Sequence, residues 1–243
     1  MEKTSRRARE RTATEQDIRR TARSLLVERG PEAVTLRAIA RELGITAPAL
    51  YRYYASRDDL IEQLRLDVIS DLGAELAELR DDGPVQLFAI CRGFRRWALT
   101  HTQEFTLVFA SPTGGVGSAE GSVATLKRVT EPFGRIFLAA AGEVLAKHEL
   151  MMPGEDVVPA ELREDLAAYR DELLAMVNRS GPTVPADRLD LGTTYLMIQF
   201  WARLYGHVTL EVFGNYPIPV TKPDALFDAL LADLAREIGL RLS

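Results

Sequence analysis

The sequence predicts an all-α protein, with an N-terminal three-helix head and a larger helical-bundle body, about nine to ten helices in total. Three observations support this prediction. Apolar residues recur three or four positions apart along most of the chain, as on one face of a helix. No segment shows a convincing alternation of apolar and polar residues. The breaks between periodic segments coincide with clusters of glycine and proline, which end helices.

The first helix is predicted to begin at Thr14, a suitable N-cap, and to end at Gly30 and Pro31. Its apolar face consists of Ile18, Ala22, Leu25 and Leu26. The basic stretch before it, "KTSRRARER", is predicted to be a disordered arm that contacts a polyanion or remains idle, and the residues alone do not decide between these two roles.

The next three helices are short or well capped. Thr35 is placed to cap a second helix, "LRAIARELG", which Gly44 ends. A short third helix is predicted from about Pro48 to Tyr54. Ser56 is placed to cap a fourth, longer helix with acidic residues in its first turn, where the helix dipole favours them.

Helical periodicity continues beyond this point. The fourth helix is predicted at 57–79. Further helical segments are predicted at 84–100, 103–111, 120–147, 159–179, 187–213 and 223–240. We expect two domains: residues 1–57, a basic arm with a helix-turn-helix, and residues 58–243, an acidic helical body.

Charge is distributed unevenly between these two parts. Residues 1–57 carry a net charge of +6, whereas residues 58–243 carry −11, within a total of −5. A basic end on an acidic body favours a polyanionic partner at that end, although a solvated basic tail would have the same composition. The single cysteine, Cys91, and the absence of an apolar leader lead us to expect a cytoplasmic protein.

The stretch "GITAPALYRYYASRDDL" fits a helix-turn-helix, in which the second helix enters the major groove of DNA. Leu50 and Tyr54 are four residues apart and should face the bracing helix. The opposite side should face DNA, and small residues at positions 47 to 49 would allow a close approach to base edges. Hydroxyl and guanidinium groups would bind phosphates, and Arg52 would reach either a phosphate or a guanine edge. The candidate DNA-binding residues are Thr35, Arg37, Thr46, Ala47, Pro48, Ala49, Tyr51, Arg52, Tyr53 and Arg57.

The segment "TLRAIARELGITAPALYRYYASRDDL" resembles the DNA-binding head of the TetR family of transcriptional repressors. The family pattern G-[VI]-[ST]-x-x-x-[LI]-Y-x-[HY]-F-x-[SN]-K-x-x-L is matched from Gly44 to Leu60. Tyr54 stands at the usual phenylalanine, and Arg57 stands at the usual lysine and keeps its charge. The resemblance implies a regulator, most often a repressor, that binds a double-stranded operator.

The resemblance further implies a body that dimerises and often binds a small molecule. The segment from Leu189 to Phe213 is apolar on almost every side, which suggests contact with both its own core and a second subunit. Ala202 and Gly206 would permit close packing, and the last helix offers a second face, so a homodimer through the last two long helices is expected. "WARLYGHVTLEVFG" also resembles a subgroup signature, W-x-x-x-H-G-x-x-x-L-E, with Tyr205 at the histidine position.

Aromatic and polar residues on the body helices are candidates for an effector pocket. We expect a small apolar or amphipathic effector. The candidate ligand-binding residues are Trp97, His101, Phe105, Phe109, Phe133, Phe137, Tyr169, Met176, Tyr195 and Gln199.

Enzymatic and cofactor sites are not indicated. The loop "SPTGGVGSAEGS" lacks the G-K-[ST] ending of a P-loop, and the three histidines are scattered, so no cofactor or metal is expected. A same-fold regulator without a small-molecule effector is the first alternative. A helical enzyme or carrier whose basic head is incidental is the second.

Overall fold

The computed structural model describes residues 2–79, 84–110, 134–180 and 183–240, and within these ranges the secondary structure is helical, with no strand. The predicted all-α class is confirmed. The helices are α1 (Glu2–Arg29), α2 (Leu36–Glu42), α3 (Ala47–Leu50), α4 (Arg57–Ala77), α5 (Pro84–Thr100), α6 (Thr102–Phe105), α7 (134–147), α8 (Arg163–Ser180), α9 (Leu191–Val212) and α10 (Pro223–Glu237).

The chain packs as two compact units, with the boundary inside α4. The first unit contains the chain up to Asp71 together with the segment that begins at His101. The second contains Leu72–Thr100 and the described residues from 134 onward. The functional division at residue 57 stays a prediction, because packing units and functional domains need not coincide.

The first unit has one apolar core formed by α1, α2, α3 and α4, with Leu107 from the π-helical turn Thr106–Ala110 after α6. The predicted inward residues of α1 lie in this core, because their three- and four-residue spacing places them on one helix face. Leu50 and Tyr54 join them, as predicted. Burial of these aliphatic side chains, each contributing about 1.5–3 kcal/mol, holds the short helices in place.

The start of α1 differs from the prediction. The helix begins at Glu2 rather than at Thr14, so the basic stretch is helical and is not a disordered arm. The Thr14 hydroxyl donates to the Glu10 carbonyl within the helix at 2.9 Å instead of capping its end. Arginine, alanine and glutamate are good helix formers, and the Arg11–Glu15 ion pair lies at the i,i+4 spacing that supports a helix.

The third helix is shorter than predicted. Regular α-helix ends at Leu50, and the backbone N–H of Tyr53 donates to the Leu50 carbonyl at 2.9 Å in a tighter turn that continues toward Tyr54. The caps predicted on either side are confirmed. The Thr35 hydroxyl accepts from the backbone N–H of Ala38 at 3.1 Å. The Ser56 hydroxyl accepts from the backbone N–H of Asp59 at 3.1 Å.

In the second unit α9 packs against α5, α8 and α10. Asp190 caps α9 by accepting from the backbone N–H of Thr193 at 2.8 Å. Phe94, Phe137 and Trp201 join α5, α7 and α9, with ring centroids 5.7–6.1 Å apart. No helix in the described part of the chain is long and apolar enough to cross a bilayer.

Candidate nucleic-acid interface

The turn between α2 and α3 has the geometry of a helix-turn-helix. Gly44 adopts a φ of 66°, a left-handed conformation that glycine reaches without a steric penalty. The next residue, Ile45, donates its backbone N–H to the Ala40 carbonyl at 3.0 Å and closes the end of α2. The chain then reaches Thr46 in an extended conformation, which starts α3 at a new angle.

The side of α3 opposite the core is exposed. Tyr51 has 56% of its surface accessible, whereas Leu50, the preceding residue, is fully buried. Arg37, Thr46, Pro48 and Arg52 are also exposed, and Ala47 and Ala49 are partly accessible. Arg37 and Arg52 have no side-chain hydrogen bond or ion pair with the rest of the described chain. This surface therefore presents cations, hydroxyl groups and small side chains together.

Tyr54 faces the opposite way and is held by an ion pair. Arg19 on α1 donates through Nη1 to the Tyr54 hydroxyl at 3.3 Å and through Nε to Asp67 of α4 at 2.6 Å. Burial raises the pKa of the Tyr54 hydroxyl above its ordinary value, so this group stays neutral. The hydroxyl that distinguishes this chain from the family pattern thus links α1, α4 and the end of the helix-turn-helix.

Tyr53 is half-buried rather than fully outward. Its ring packs against the core of the first unit, and the Arg11 guanidinium carbon lies 5.9 Å from the ring centroid. A cation–π contact of this kind stabilises exposed sites by about 0.5–1 kcal/mol. Arg11, Thr14 and Tyr53, with Glu10 and Arg52, surround a cleft of about 290 Å³. Sequence reasoning missed Arg11, whose only signal was its place in the basic stretch.

Arg57 is engaged by the protein backbone. Its Nε donates to the Val34 carbonyl at 2.7 Å and its Nη2 to the Pro31 carbonyl at 2.8 Å. These bonds tie the start of α4 to the turn that precedes Thr35, the N-cap of α2. The expected phosphate contact of Arg57 stays a prediction.

The candidate ligand-binding residues fall in both packing units. In the first unit, Phe105 is buried and packs on Phe109 with ring centroids 5.2 Å apart, while His101 precedes α6. In the second unit, Trp97 is buried and Phe137 lies in the aromatic cluster. Four more candidates lie in the second unit. Tyr169 is exposed on α8, and Met176 of α8 packs against a small apolar core. Tyr195 and Gln199 of α9 are partly buried. Phe133 lies outside the described residues.

The aromatic cluster contains residues beyond the candidate set. Phe94 is fully buried and contacts both Phe137 and Trp201, and Trp201 stacks on Tyr205 at 5.8 Å. The i,i+4 spacing of Trp201 and Tyr205 is a sequence signal for such stacking. Next to this cluster along α9, Glu211 receives two hydrogen bonds from Arg95, each at 2.6 Å. The bidentate pair joins α5 to the end of α9.

Two family models match the chain. One, described as "Bacterial regulatory proteins, tetR family", matches residues 18–64, and the other, "Tetracyclin repressor-like, C-terminal domain", matches residues 87–234. The chain is 32% identical over 225 residues to the HTH-type transcriptional regulators Rv1816 of Mycobacterium tuberculosis and Mb1846 of Mycobacterium bovis. Each alignment covers 90% of this chain and 89% of the relative.

Two solved structures share the fold. The regulatory protein SCO4313 is 24% identical, with a TM-score of 0.59, over 93% of this chain and 97% of its own. The complex of RolR with resorcinol is 16% identical, with a TM-score of 0.52, over 96% of this chain and 91% of its own. The family models cover the helix-turn-helix and more than half of the chain beyond it, and the relatives align almost from end to end. The chain is therefore a member of the TetR family of transcriptional regulators.

Proposed function

We propose that the protein acts as a homodimeric repressor, which binds a near-palindromic operator and is released by a small apolar or amphipathic effector bound in the C-terminal domain. The observation that carries the DNA-binding part is the outward face of α3. Tyr51 and Arg52 are exposed directly after α3, and Arg37 is exposed on α2, while Leu50 and Tyr54 hold this segment on the core.

The candidate DNA-binding residues divide by chemistry. The small residues Ala47, Pro48 and Ala49 would approach base edges, and their carbon atoms would contact thymine methyl groups. Backbone phosphates would be bound by the hydroxyl and guanidinium groups of Thr35, Arg37, Thr46, Tyr51, Arg52, Tyr53 and Arg57. Arg52 would alternatively reach a guanine edge. In a two-fold dimer the two α3 helices would enter successive major grooves about 34–36 Å apart.

An exposed stripe on α9 supports dimerisation. Ile198, Ala202, Gly206 and Leu210 recur every four residues, so they share one face of the helix. Ile198 and Leu210 are 40% and 39% exposed, and a Cβ atom added at Gly206 would meet nothing in the described chain. Leu226 of α10 is also an exposed apolar residue. A second copy would cover this stripe, and Gly206 would allow the two α9 helices to approach closely.

The aromatic cluster of the second unit supports a role in effector binding. Phe137, Trp201 and Tyr205 are each partly accessible, although their rings contact one another. Such rings favour planar or apolar ligands. RolR, which shares the fold, has been solved with resorcinol. Effector binding would release DNA only if the effector has a higher affinity for the conformation that does not fit the operator.

The decisive experiment measures binding to DNA from the protein's own upstream region against a scrambled duplex of equal length and composition. We expect a preference of at least about a thousandfold. Equal affinity for the two duplexes would contradict operator binding. The same assay is then repeated with a panel of small aromatic and apolar compounds. Release by one compound supports effector control, and release by none favours the same-fold regulator without an effector.

The proposed dimer interface is tested with Leu210→Glu. We expect the wild-type mass in solution to be twice that of one chain, and the variant to dissociate, because a carboxylate would be buried without a partner. Leu162→Glu is the matched control, because Leu162 is 40% exposed but lies outside α9 and α10. A dimer that persists in Leu210→Glu, or a monomeric wild type, would contradict this interface.

A further inference from the structure

The cleft beside α3 has the composition of an anion site. Its volume is about 290 Å³, and its walls are Glu10, Arg11, Thr14, Arg52 and Tyr53. Drug-sized apolar ligands occupy larger pockets lined mainly by apolar side chains. Here no wall residue is aliphatic. Two guanidinium groups face one carboxylate in the walls, and a second carboxylate, that of Glu15, pairs with Arg11 beside them.

Arg11 is already oriented within this cleft. Its Nε donates to Oε1 of Glu15 at 2.9 Å, and its guanidinium lies over the Tyr53 ring. The two remaining guanidinium nitrogens have no partner in the described part of the chain. The Arg11 side chain is 64% exposed, so these nitrogens are accessible to a ligand. Two available N–H donor groups at the end of a planar fork suit the oxygens of a phosphate.

Arg52 connects the cleft to the outward face of α3. It follows Tyr51 directly in the sequence and is exposed, without a hydrogen bond or ion pair to any described residue. A duplex that contacts Tyr51 therefore has its backbone within reach of Arg52 and of the neighbouring cleft. The tyrosine and threonine hydroxyls in the walls add neutral hydrogen-bonding groups.

We propose that this cleft binds one phosphate of the DNA backbone, with Arg11 of α1 and Arg52 as its two cationic ligands. The proposal rests on the DNA binding proposed above and extends the interface to the helical N-terminal segment. Arg11 thereby becomes a phosphate-positioning residue, and Glu15 becomes the group that orients it. A phosphate contact carries no base information. Its role is to fix the register and orientation of the head on the duplex.

The test is the salt dependence of DNA binding, measured by fluorescence anisotropy for the wild type and Arg11→Gln. We expect Arg11→Gln to weaken binding to operator and scrambled duplexes by the same factor. The slope of log K against log salt concentration should fall by about 1.8 for the dimer, which is about 0.9 for the one phosphate contact in each subunit. Arg11→Lys should retain the wild-type slope because it keeps the charge.

Arg20→Gln is the matched control. Arg20 lies on the same helix, nine residues or about two and a half turns further on, so it faces the opposite side. It is exposed and pairs with Asp17. An Arg11→Gln slope equal to that of the wild type, or the same loss of slope in Arg20→Gln, would overturn the proposal. Circular dichroism melting should show that all three variants remain folded at the assay temperature.

A second measurement separates a DNA phosphate from free phosphate as the source of the anion. Chloride is replaced by inorganic phosphate at constant ionic strength. We expect this replacement to change the DNA affinity of the wild type and of Arg11→Gln by the same factor. Selective inhibition of the wild type would show that the cleft binds free phosphate and would overturn the assignment. Failure of the wild type to bind any DNA would instead contradict the proposed function itself.

Discussion

Arg23 of α1 donates through Nε to Oε1 of Glu104 in α6 at 2.6 Å, and the Glu104 side chain is only 4% exposed. The same guanidinium pairs through Nη1 with Asp71 of α4. One arginine thus connects three helices of the first unit. A buried carboxylate is stable only when it is paired and hydrogen-bonded, so Glu104 depends on this arginine.

This dependence predicts unequal effects of removing either partner. Arg23→Met should destabilise the protein by about 3–5 kcal/mol, because it leaves the Glu104 carboxylate buried without its ion-pair partner. Glu104→Gln should cost less, about 1.5–3 kcal/mol, since Arg23 keeps Asp71 and the amide oxygen can still accept. Urea denaturation measures both free energies of unfolding. A larger loss for Glu104→Gln than for Arg23→Met would contradict this account.

Tyr54→Phe tests the hydroxyl at the end of the helix-turn-helix. The change restores the family's usual residue and removes the acceptor of the Arg19 Nη1 bond. Because that bond is long, at 3.3 Å, and Arg19 keeps Asp67, we expect a loss of only about 0.5–1 kcal/mol. A double-mutant cycle with Asp67→Asn should show coupling through Arg19. Strict additivity of the two losses would argue against the three-residue link.

Arg57 is predicted to support both the backbone of the head and the contact with DNA. Arg57→Gln would remove two bonds from a charged donor to the Val34 and Pro31 carbonyls, at a cost of about 2–3 kcal/mol. The turn before Thr35 would loosen, so DNA affinity should fall on all duplexes. If Arg57 also binds a phosphate, as the sequence predicts, the slope of log K against log salt should fall by about 1.8 for the dimer, or about 0.9 in each subunit. An unchanged slope would limit Arg57 to its role on the backbone and contradict the phosphate contact.

These residues also show which features the sequence could predict. The caps at Thr35 and Ser56 and the inward position of Leu50 depend on neighbours a few positions away, so helix geometry is enough to predict them. The Arg23–Glu104 pair joins residues 81 positions apart, and only the packed fold brings them together. For the same reason, the buried phenylalanine of the aromatic cluster, Phe94, was missed.

The start of α1 shows a different limit. Thr14 has the residue type of an N-cap. The residues before it also favour helix, however, so the helix begins further upstream and Thr14 lies in its interior. The charge pattern correctly marked this end as basic. It did not show that the arginines would lie on an ordered helix, with Arg11 beside the recognition segment.

Cys91 is predicted to be chemically inert in the folded protein. The side chain is fully buried on α5, and burial raises the pKa of its thiol well above the ordinary value. Since the thiolate is the reactive form, alkylation should be about a thousandfold or more slower than in urea, where the chain is unfolded. Mass spectrometry after iodoacetamide treatment at pH 8 measures this protection. Rapid labelling of the native protein would contradict the burial of this thiol.

We predict that the free energy of unfolding depends on pH through His207. Burial lowers the pKa of this imidazole, with the Arg95 guanidinium also lowering it and the Glu211 carboxylate opposing the shift. Its Nε2 lies 3.0 Å from the Tyr216 hydroxyl, and its ring packs on Phe227. The unfolded chain, with a histidine pKa near about 6.5, therefore takes up a proton before the folded protein does.

It follows that the contribution of His207 to stability is complete above about pH 6.5 and declines as the pH falls toward the lower, folded-state pKa. Thermal unfolding between pH 8 and 5 should show this decline in the wild type. His207→Gln should reduce the decline, because it removes the titrating group. His148→Gln is the control for the loss of one histidine. A His207→Gln profile that parallels the wild type across this range would assign the decline to other groups.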